Sequence, residues 1–320
     1  MISLVITVKN ELTNIKEWFQ SIQKQKKNPD EIIVVDGMSA DGTWEWLQSI
    51  ASQNIRVFQK EGNIATGRNY AITQARGEII VVTDAGCIYG ETWLKEIVEP
   101  LEKDDLKAST TAFKPWFKKT DNLIQYLIAA ATIPREREFK KSWLPSSRSF
   151  ACVKSLWTDV GGYPEWIPYC EDVIFDITIQ KKGVEIAHVE NTLVAWRPRH
   201  TLGAFMRQLY NYTRSDAHGK LFYERQIVRF CVYIGLLGLI YGMVYYPLLF
   251  GLILMVCGAI YMKKFWFRFF EFGKPLPSMI RVFGYMLLIP VIAVGDIAKM
   301  CGWIVGIGER WSGKIKYHHY

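Results

Sequence analysis

The sequence predicts an α/β fold, a mainly parallel sheet with helices on both faces, followed by an α-helical membrane region. Three observations carry this. Short β-branched runs alternate with helix-period segments along the first hundred residues. The runs are apolar almost throughout instead of alternating, the mark of strands covered on both faces. Residues 227–262 contain one charged residue in thirty-six, Arg229.

Residues 2–8 (ISLVITV) form the first strand, and Leu12, Ile15, Trp18, Phe19 and Ile22 then recur at helical spacing. The alternation repeats as EIIVVDG then ADGTWEWLQSI, IRVFQ then NIATGRNYAITQA, and GEIIVVTDAG then ETWLKEIVEPL. After a less regular middle, VGGYPEW makes a glycine turn and YCEDVIFDITIQKKG an acid-headed helix. TLGAFMRQLYNYTR is an aromatic-rich basic helix, read either as a membrane-surface helix offering Arg207 and Arg214 to headgroups or as an ordinary packing helix. The apolar stretch that follows, split at Tyr245-Tyr246-Pro247, gives two segments, 227–245 and 247–262, near the ~17–20 residues of a bilayer crossing.

At 320 residues the chain exceeds the about 250–300 at which single cores stop growing, so two units are expected, 1–225 (with 201–225 a membrane-proximal helix or linker) and 226–320. The composition, 50% hydrophobic and 14% aromatic with mean hydropathy +0.04, is too apolar for a soluble protein and too charged for a polytopic one. Net charge is +8, but residues 226–320 hold ten Lys/Arg against three Asp/Glu, leaving 29 against 28 before them. That distribution argues against nucleic acid as a partner and for anionic headgroups around Lys263, Lys264, Arg268 and Lys274. The six cysteines lack metal or disulfide spacing and suggest a reducing compartment. The start MISLVITVKNE has a strand's pattern rather than a signal peptide's, so the globular domain is expected in the cytoplasm of a membrane-bound protein.

A third apolar segment, 279–307, carries Pro290 and Asp296, and an acid at the bilayer centre costs about 2.5–3.5 kcal/mol. A third crossing would also set Arg310, Lys314 and Lys316 opposite the basic loop 263–274, so an interfacial or re-entrant helix is preferred, with a third membrane helix as the alternative. Gly295, Asp296, Lys299, Gly302 and Gly306 share one stripe, suited to water, another helix or a second copy of the chain, which leaves a homo-oligomer open.

Ligands of open parallel sheets bind beyond the carboxyl ends of the strands, so Thr7 to Glu11, Asp36 and Asp84 are expected along one edge. Turn formation and capping are the competing roles for Asp36 and Asp84, and the preferred role for Asp41.

Taken in order, the motifs of residues 1–200 resemble glycosyltransferase family 2, nucleotide-sugar-dependent enzymes of the GT-A fold. VITVKNE resembles its first strand and nucleotide-contact loop, EIIVVDGMSADGT its second, GRNYAITQARGEIIVVTDAG the segment leading to its DxD motif, and VGGYPEW with EDVIFDITIQKKG its acceptor side. The resemblance implies that Thr7, Val8, Glu11 and Asp36 line the base and ribose pocket and that Arg68 sits beside the nucleotide. It implies Asp84 as the first DxD acid, followed by Ala85, with Asp172 as general base and Glu171 as a neighbour that orients or caps. The second DxD acid is replaced by Gly86. One carboxylate plus two phosphate oxygens can still hold Mg²⁺ or Mn²⁺, so Asp84 is the expected protein ligand of a divalent cation. The alternative is a metal-free site with Arg68 or Arg148 as counter-charge.

Arg148, Arg197 and Arg199 are candidates for phosphate or acceptor contact, suited by bidentate geometry, and solvated arginines are the plainer reading. His188 is read as structural. The implied function is inverting transfer, of the hexosyltransferase type, from a UDP- or GDP-sugar to a lipid-linked or membrane-proximal acceptor such as a polyprenyl phosphate, glycolipid or polysaccharide precursor. The contrary reading, motivated by Gly86, is an inactive nucleotide-sugar-binding membrane scaffold.

Overall fold

The computed structural model describes residues 1–103, 106–139 and 143–315. Lys316, named above in the basic tail, lies outside them. The chain divides into two compact units, Met1–Trp116 with Arg135–Arg197, and Phe117–Pro134 with Pro198 onward.

The first unit begins β1 (Ile2–Val8), α1 (Leu12–Gln23), β2 (Glu31–Asp36), α2 (Thr43–Ile50), β3 (Ile55–Gln59), α3 (Ile64–Gln74) and β4 (Ile79–Thr83). A two-residue strand β5 (Cys87–Ile88), α4 (Trp93–Lys103) and β6 (Ala108–Pro115) follow. After α5 (Leu123–Thr132), which belongs to the second unit, come β7 (Ser149–Val153), α6 (Lys154–Asp159), α7 (Glu171–Lys181) and β8 (Ile186–Trp196). The sheet order is β3-β2-β1-β4-β7-β6-β8-β5. β3, β2, β1 and β4 are parallel, as the apolar runs predict, while β7 pairs antiparallel with both β4 and β6. The sheet is therefore mixed.

Both faces are covered, and the two-residue period sorts the side chains. Leu4, Ile6, Ile32, Val34 and Val81 meet Ile15 and Trp18 of α1 and Trp93 and Ile97 of α4. Val5, Ile33, Val35, Ile80 and Val82 meet Ala71 and Ile72 of α3 and Phe175 and Ile179 of α7. Removal of this apolar surface from water is the main drive for the unit's folding.

The second unit holds α5, α8 (Leu202–His218), α9 (Tyr223–Gly242), α10 (Pro247–Phe272) and α11 (Ser278–Trp311). Composition draws the boundary at 225/226, whereas α5 and α8 pack with the apolar helices. α10 runs on through the segment read above as a basic loop, because Met262, Phe265, Phe269 and Phe272 form a buried stripe at helical spacing. α11 is continuous through Pro290 and Asp296, about 50 Å long at 1.5 Å per residue. α9, α10 and α11 are each long and apolar enough to cross a membrane, and within their apolar windows only 6%, 11% and 28% of residues are buried. These helices need an apolar medium.

The small-residue stripe of α11 faces α8. A Cβ on Gly302 would lie 2.2 Å from the Tyr210 carbonyl oxygen and 2.6 Å from Thr213 Oγ1, and one on Gly306 2.3 Å from the Arg214 carbonyl oxygen. Thr213 Oγ1 donates to the Lys299 carbonyl at 2.9 Å. Arg214 is taken by Glu309, with Nε to Oε2 at 2.6 Å, and Glu309 Oε2 also meets His218 Nε2 at 2.9 Å. α8 is thus a packing helix, and Arg214 is engaged inside the unit.

Gly302→Leu should destabilise the helical unit by about 1–3 kcal/mol through overpacking. Gly308→Leu, whose Cβ would meet nothing within 4 Å, should leave stability unchanged. Thermal unfolding in detergent compares the two, and equal midpoints would contradict the packing described.

Candidate active site

The parallel strands β1, β2 and β4 end at one rim, where Val8 pairs with Asp36 and Thr83 pairs with Ser149 of β7. Because β7 is antiparallel, it is its amino end, with Ser146, Ser147 and Arg148 just before it, that reaches this rim. Gly67 lets α3 close on the sheet, since a Cβ there would lie 2.9 Å from Thr7 Cγ2. That close approach sets Arg68 beside the ends of β1 and β2.

Asp36 is fully buried. Its Oδ2 accepts from Ser39 N and from Gln59 Nε2, both at 3.0 Å. Its Oδ1 has no hydrogen-bond partner among the described residues. A buried carboxylate oxygen without a donor is costly, and a ligand N–H would satisfy it. Glu11 is tied to the second loop through its own N–H, which donates to Thr43 Oγ1 at 3.1 Å. Asp41 serves the turn, accepting from Thr43 N and Leu12 N, in keeping with its expected role.

Asp84 ends β4 and opens a tight turn through Ala85 and Gly86 closed by Cys87 N donating to the Asp84 carbonyl at 3.2 Å. The turn is pinned twice. The Asp84 N–H donates to Tyr89 Oη at 3.1 Å and that hydroxyl donates to the Arg148 carbonyl at 2.6 Å. Arg197 N donates to the Gly86 carbonyl at 3.0 Å. Burial pushes the Tyr89 hydroxyl pKa well up, keeping it a neutral bridge.

The Arg148 guanidinium stacks over Trp196 at 4.1 Å, with Nε 3.8 Å from Asp84 Oδ2. Its Nη1 donates to Ser146 Oγ at 2.8 Å, and Ser146 Oγ donates on to Asp172 Oδ2 at 3.4 Å. Ser147 N also approaches Asp172 Oδ2 at 3.4 Å. Asp84 and Asp172, 88 residues apart in sequence, are thus joined through Arg148 and Ser146.

Asp172 lies in the first turn of α7. Glu171 faces inward and forms a buried ion pair with Arg68, whose guanidinium sits 5.4 Å from the Tyr163 ring centroid. Burial pushes the Glu171 carboxyl up to about 7 against the opposing pull of Arg68. Burial lowers the Arg68 pKa, but Glu171 and its neighbours outweigh it and leave it raised. Arg68, expected beside the nucleotide, is therefore committed to holding α7 against α3. One turn beyond Asp172, Asp176 is buried with Oδ2 unpartnered among the described residues, and burial holds its pKa well above the usual carboxylate range.

Arg197 is buried, its guanidinium 5.2 Å from the Trp116 ring centroid. Arg199 belongs to the helical unit, where Nε donates to Gln208 Oε1 at 3.3 Å. His188 packs against Trp143 with centroids 4.9 Å apart, as a structural residue does. Sequence reasoning missed Ser146, Tyr89, Trp196 and Asp176. Only Asp176 carries a local signal, its i+4 spacing from Asp172.

No group of three His, Cys, Asp or Glu side chains among the described residues could hold a metal ion. Asp84 alone fits a divalent cation only when phosphate oxygens complete the shell. Space is not what removes the second acid, because a Cβ on Gly86 would meet nothing within 4 Å.

Residues 3–155 match the model of Glycosyl transferase family 2. The dolichol-phosphate mannosyltransferase of Pyrococcus furiosus is 25% identical over 203 residues, 60% of this chain and 56% of that protein. The O-antigen chain rhamnosyltransferase WbaN of Salmonella anatum is 23% identical over 209 residues, 62% of each. The matches thus span less than two thirds of these relatives. The solved mannosyltransferase PcManGT from Pyrobaculum calidifontis, in complex with GDP-Man and Mn²⁺, superposes with a TM-score of 0.60 at 18% identity, covering 92% of this chain and 86% of that one. That likeness establishes the GT-A fold.

Gly86→Asp should keep the fold and tighten Mn²⁺ binding at least tenfold without nucleotide, read by calorimetry. An unchanged affinity would place the cation away from this turn. Arg68→Met, which leaves Glu171 buried and unpaired, should cost about 3–5 kcal/mol in denaturant unfolding. Adding Glu171→Leu should recover most of it.

Proposed function

Since residues 3–155 form a glycosyltransferase family 2 domain, we propose that this chain transfers a sugar, with inversion, from a UDP- or GDP-sugar to a lipid-linked or membrane-proximal acceptor. Its α/β unit works in the cytoplasm and α9 to α11 hold it at the membrane. The observation that carries the reading is the link from Asp84 through Arg148 and Ser146 to Asp172, which gathers a phosphate-side acid, a cation and a base at one rim.

The donor's base and ribose occupy the ends of β1 and β2, where Asp36 Oδ1 is available to a ring N–H. Its diphosphate lies at the Asp84 turn, where Arg148 offers positive charge in a fork suited to phosphate oxygens. A divalent cation bound by Asp84 together with the diphosphate would neutralise charge on the leaving group. Asp172 accepts the proton of an acceptor hydroxyl, and the acceptor oxygen attacks the anomeric carbon opposite the diphosphate, without a covalent enzyme intermediate. Where the acceptor oxygen belongs to a phosphate, no proton is removed and Asp172 positions it. Glu171, held by Arg68, fixes the start of α7 and so the base.

Asp172→Asn should lower transfer of labelled sugar into membrane lipids by about 10²–10⁴-fold while leaving donor affinity within twofold. Full retained activity removes Asp172 from the mechanism. Donor binding without turnover by the unaltered chain, under both Mg²⁺ and Mn²⁺, would favour a binding scaffold.

A further inference from the structure

Asp84 and Arg148 face each other across the sheet. β4 and β7 are antiparallel with Thr83 opposite Ser149, so the residue that follows the one strand and the residue that precedes the other meet at the rim. One hydroxyl ties the two backbones, because Tyr89 Oη accepts from the Asp84 N–H at 3.1 Å and donates to the Arg148 carbonyl at 2.6 Å. The root of the arginine is therefore fixed beside the acid. Its head is held more loosely, with Nε 3.8 Å from Asp84 Oδ2, a separation at which charges attract without a hydrogen bond between them. The guanidinium rests on the Trp196 ring at 4.1 Å and donates to Ser146 Oγ at 2.8 Å, supports that do not depend on Asp84. With 31% of the Asp84 side chain and 18% of the Arg148 side chain exposed, a ligand can reach both.

Electroneutrality decides what this turn accepts. Asp84 and Arg148 together carry no net charge, and position 86, where an acid would help to admit a dication, holds glycine. A divalent cation at Asp84 would sit against a guanidinium with an uncompensated charge of about +2. A diphosphate ester brings about −2, one charge from each phosphate, and restores the balance. Arginine's planar fork also matches a pair of phosphate oxygens better than one distant carboxylate oxygen. A diphosphate thus draws Arg148 to itself and leaves Asp84 to the metal.

We propose that Arg148 is a placeholder cation for the Asp84 turn: it neutralises Asp84 and keeps divalent metal out until a donor diphosphate takes it over, so that metal and donor enter together. The inference rests on the diphosphate lying at this turn, as proposed above, and adds the order of binding and the residue that imposes it.

The test measures Mn²⁺ binding to the full chain in detergent by calorimetry, with and without saturating UDP or GDP. In the unaltered chain a bound nucleotide should tighten Mn²⁺ binding at least tenfold. R148M keeps an apolar stem for Trp196 and removes the charge; it should tighten Mn²⁺ binding without nucleotide at least tenfold, and weaken UDP or GDP binding at least tenfold when no metal is added. R148K, which keeps the charge, should bind Mn²⁺ alone as the unaltered chain does. Mn²⁺ affinity indifferent to a bound nucleotide in the unaltered chain overturns the proposal, and decides the matter should R148M fail to fold. Unchanged Mn²⁺ affinity in R148M overturns it as well, and equal tightening in R148K and R148M overturns charge as the cause. Tightening in R148M of a chain that binds neither nucleotide removes the proposed function and leaves the placeholder. Nucleotide binding and sugar transfer by the unaltered chain, with no change of Mn²⁺ affinity in R148M, remove the placeholder alone.

Discussion

The buried ion pair between Arg68 and Glu171 is the constraint on which the site depends. It joins α3 to α7, the helices that flank the rim on one face of the sheet, and its charges are both nearly inaccessible. A buried pair of this kind adds little net stability over apolar residues but costs several kcal/mol when one partner is lost. Its value here is positional. Glu171 turned inward leaves the next residue, Asp172, directed at Ser146 and Ser147. Three acids in two turns of α7 would repel one another in water. The structure separates them by environment: Glu171 is paired, Asp172 is half-buried, and Asp176 is sunk where burial favours its neutral form.

Much of this was legible in the sequence and some was not, for physical reasons. The strands β1, β2 and β4 are buried on both faces, so apolar runs mark them and the carboxylates at their ends stand out. The antiparallel entry of β7 was invisible, because a strand's pattern records which faces are buried and not the direction of its neighbour. With it went Ser146 and the way Arg148 reaches Asp84, since both depend on which end of β7 meets the rim. Arg68 was found but its partner was not, as local sequence carries no trace of a buried glutamate 103 residues away. In the helical unit, the glycine stripe announced a close partner without naming α8. The apolar composition also hid the true extent of α10, whose basic residues sit on a helix with a buried aromatic stripe.

The single acid at the Asp84 turn acquires a context from its neighbours. Arg148 stands where a second positive or coordinating influence is useful, held by Trp196 stacking on one side and by Ser146 on the other. The turn's backbone is satisfied through Tyr89 and Arg197, so its geometry does not depend on any bound ion. A site built this way is pre-organised in its protein parts and leaves the ligand to complete the coordination shell.

The placement of α5 has a consequence for biosynthesis. Its residues Gln125–Ala130 are buried against the helical unit, chiefly α10 and α11, yet they are made long before those helices exist. At about 5–20 residues per second, some ten to forty seconds pass between completion of α5 and completion of α11. Through that interval the nascent chain carries an apolar segment whose covering helices are not yet made, and it must be shielded by a chaperone or by the bilayer itself. Delivery of the ribosome to the membrane is then bound up with correct folding as well as with anchoring.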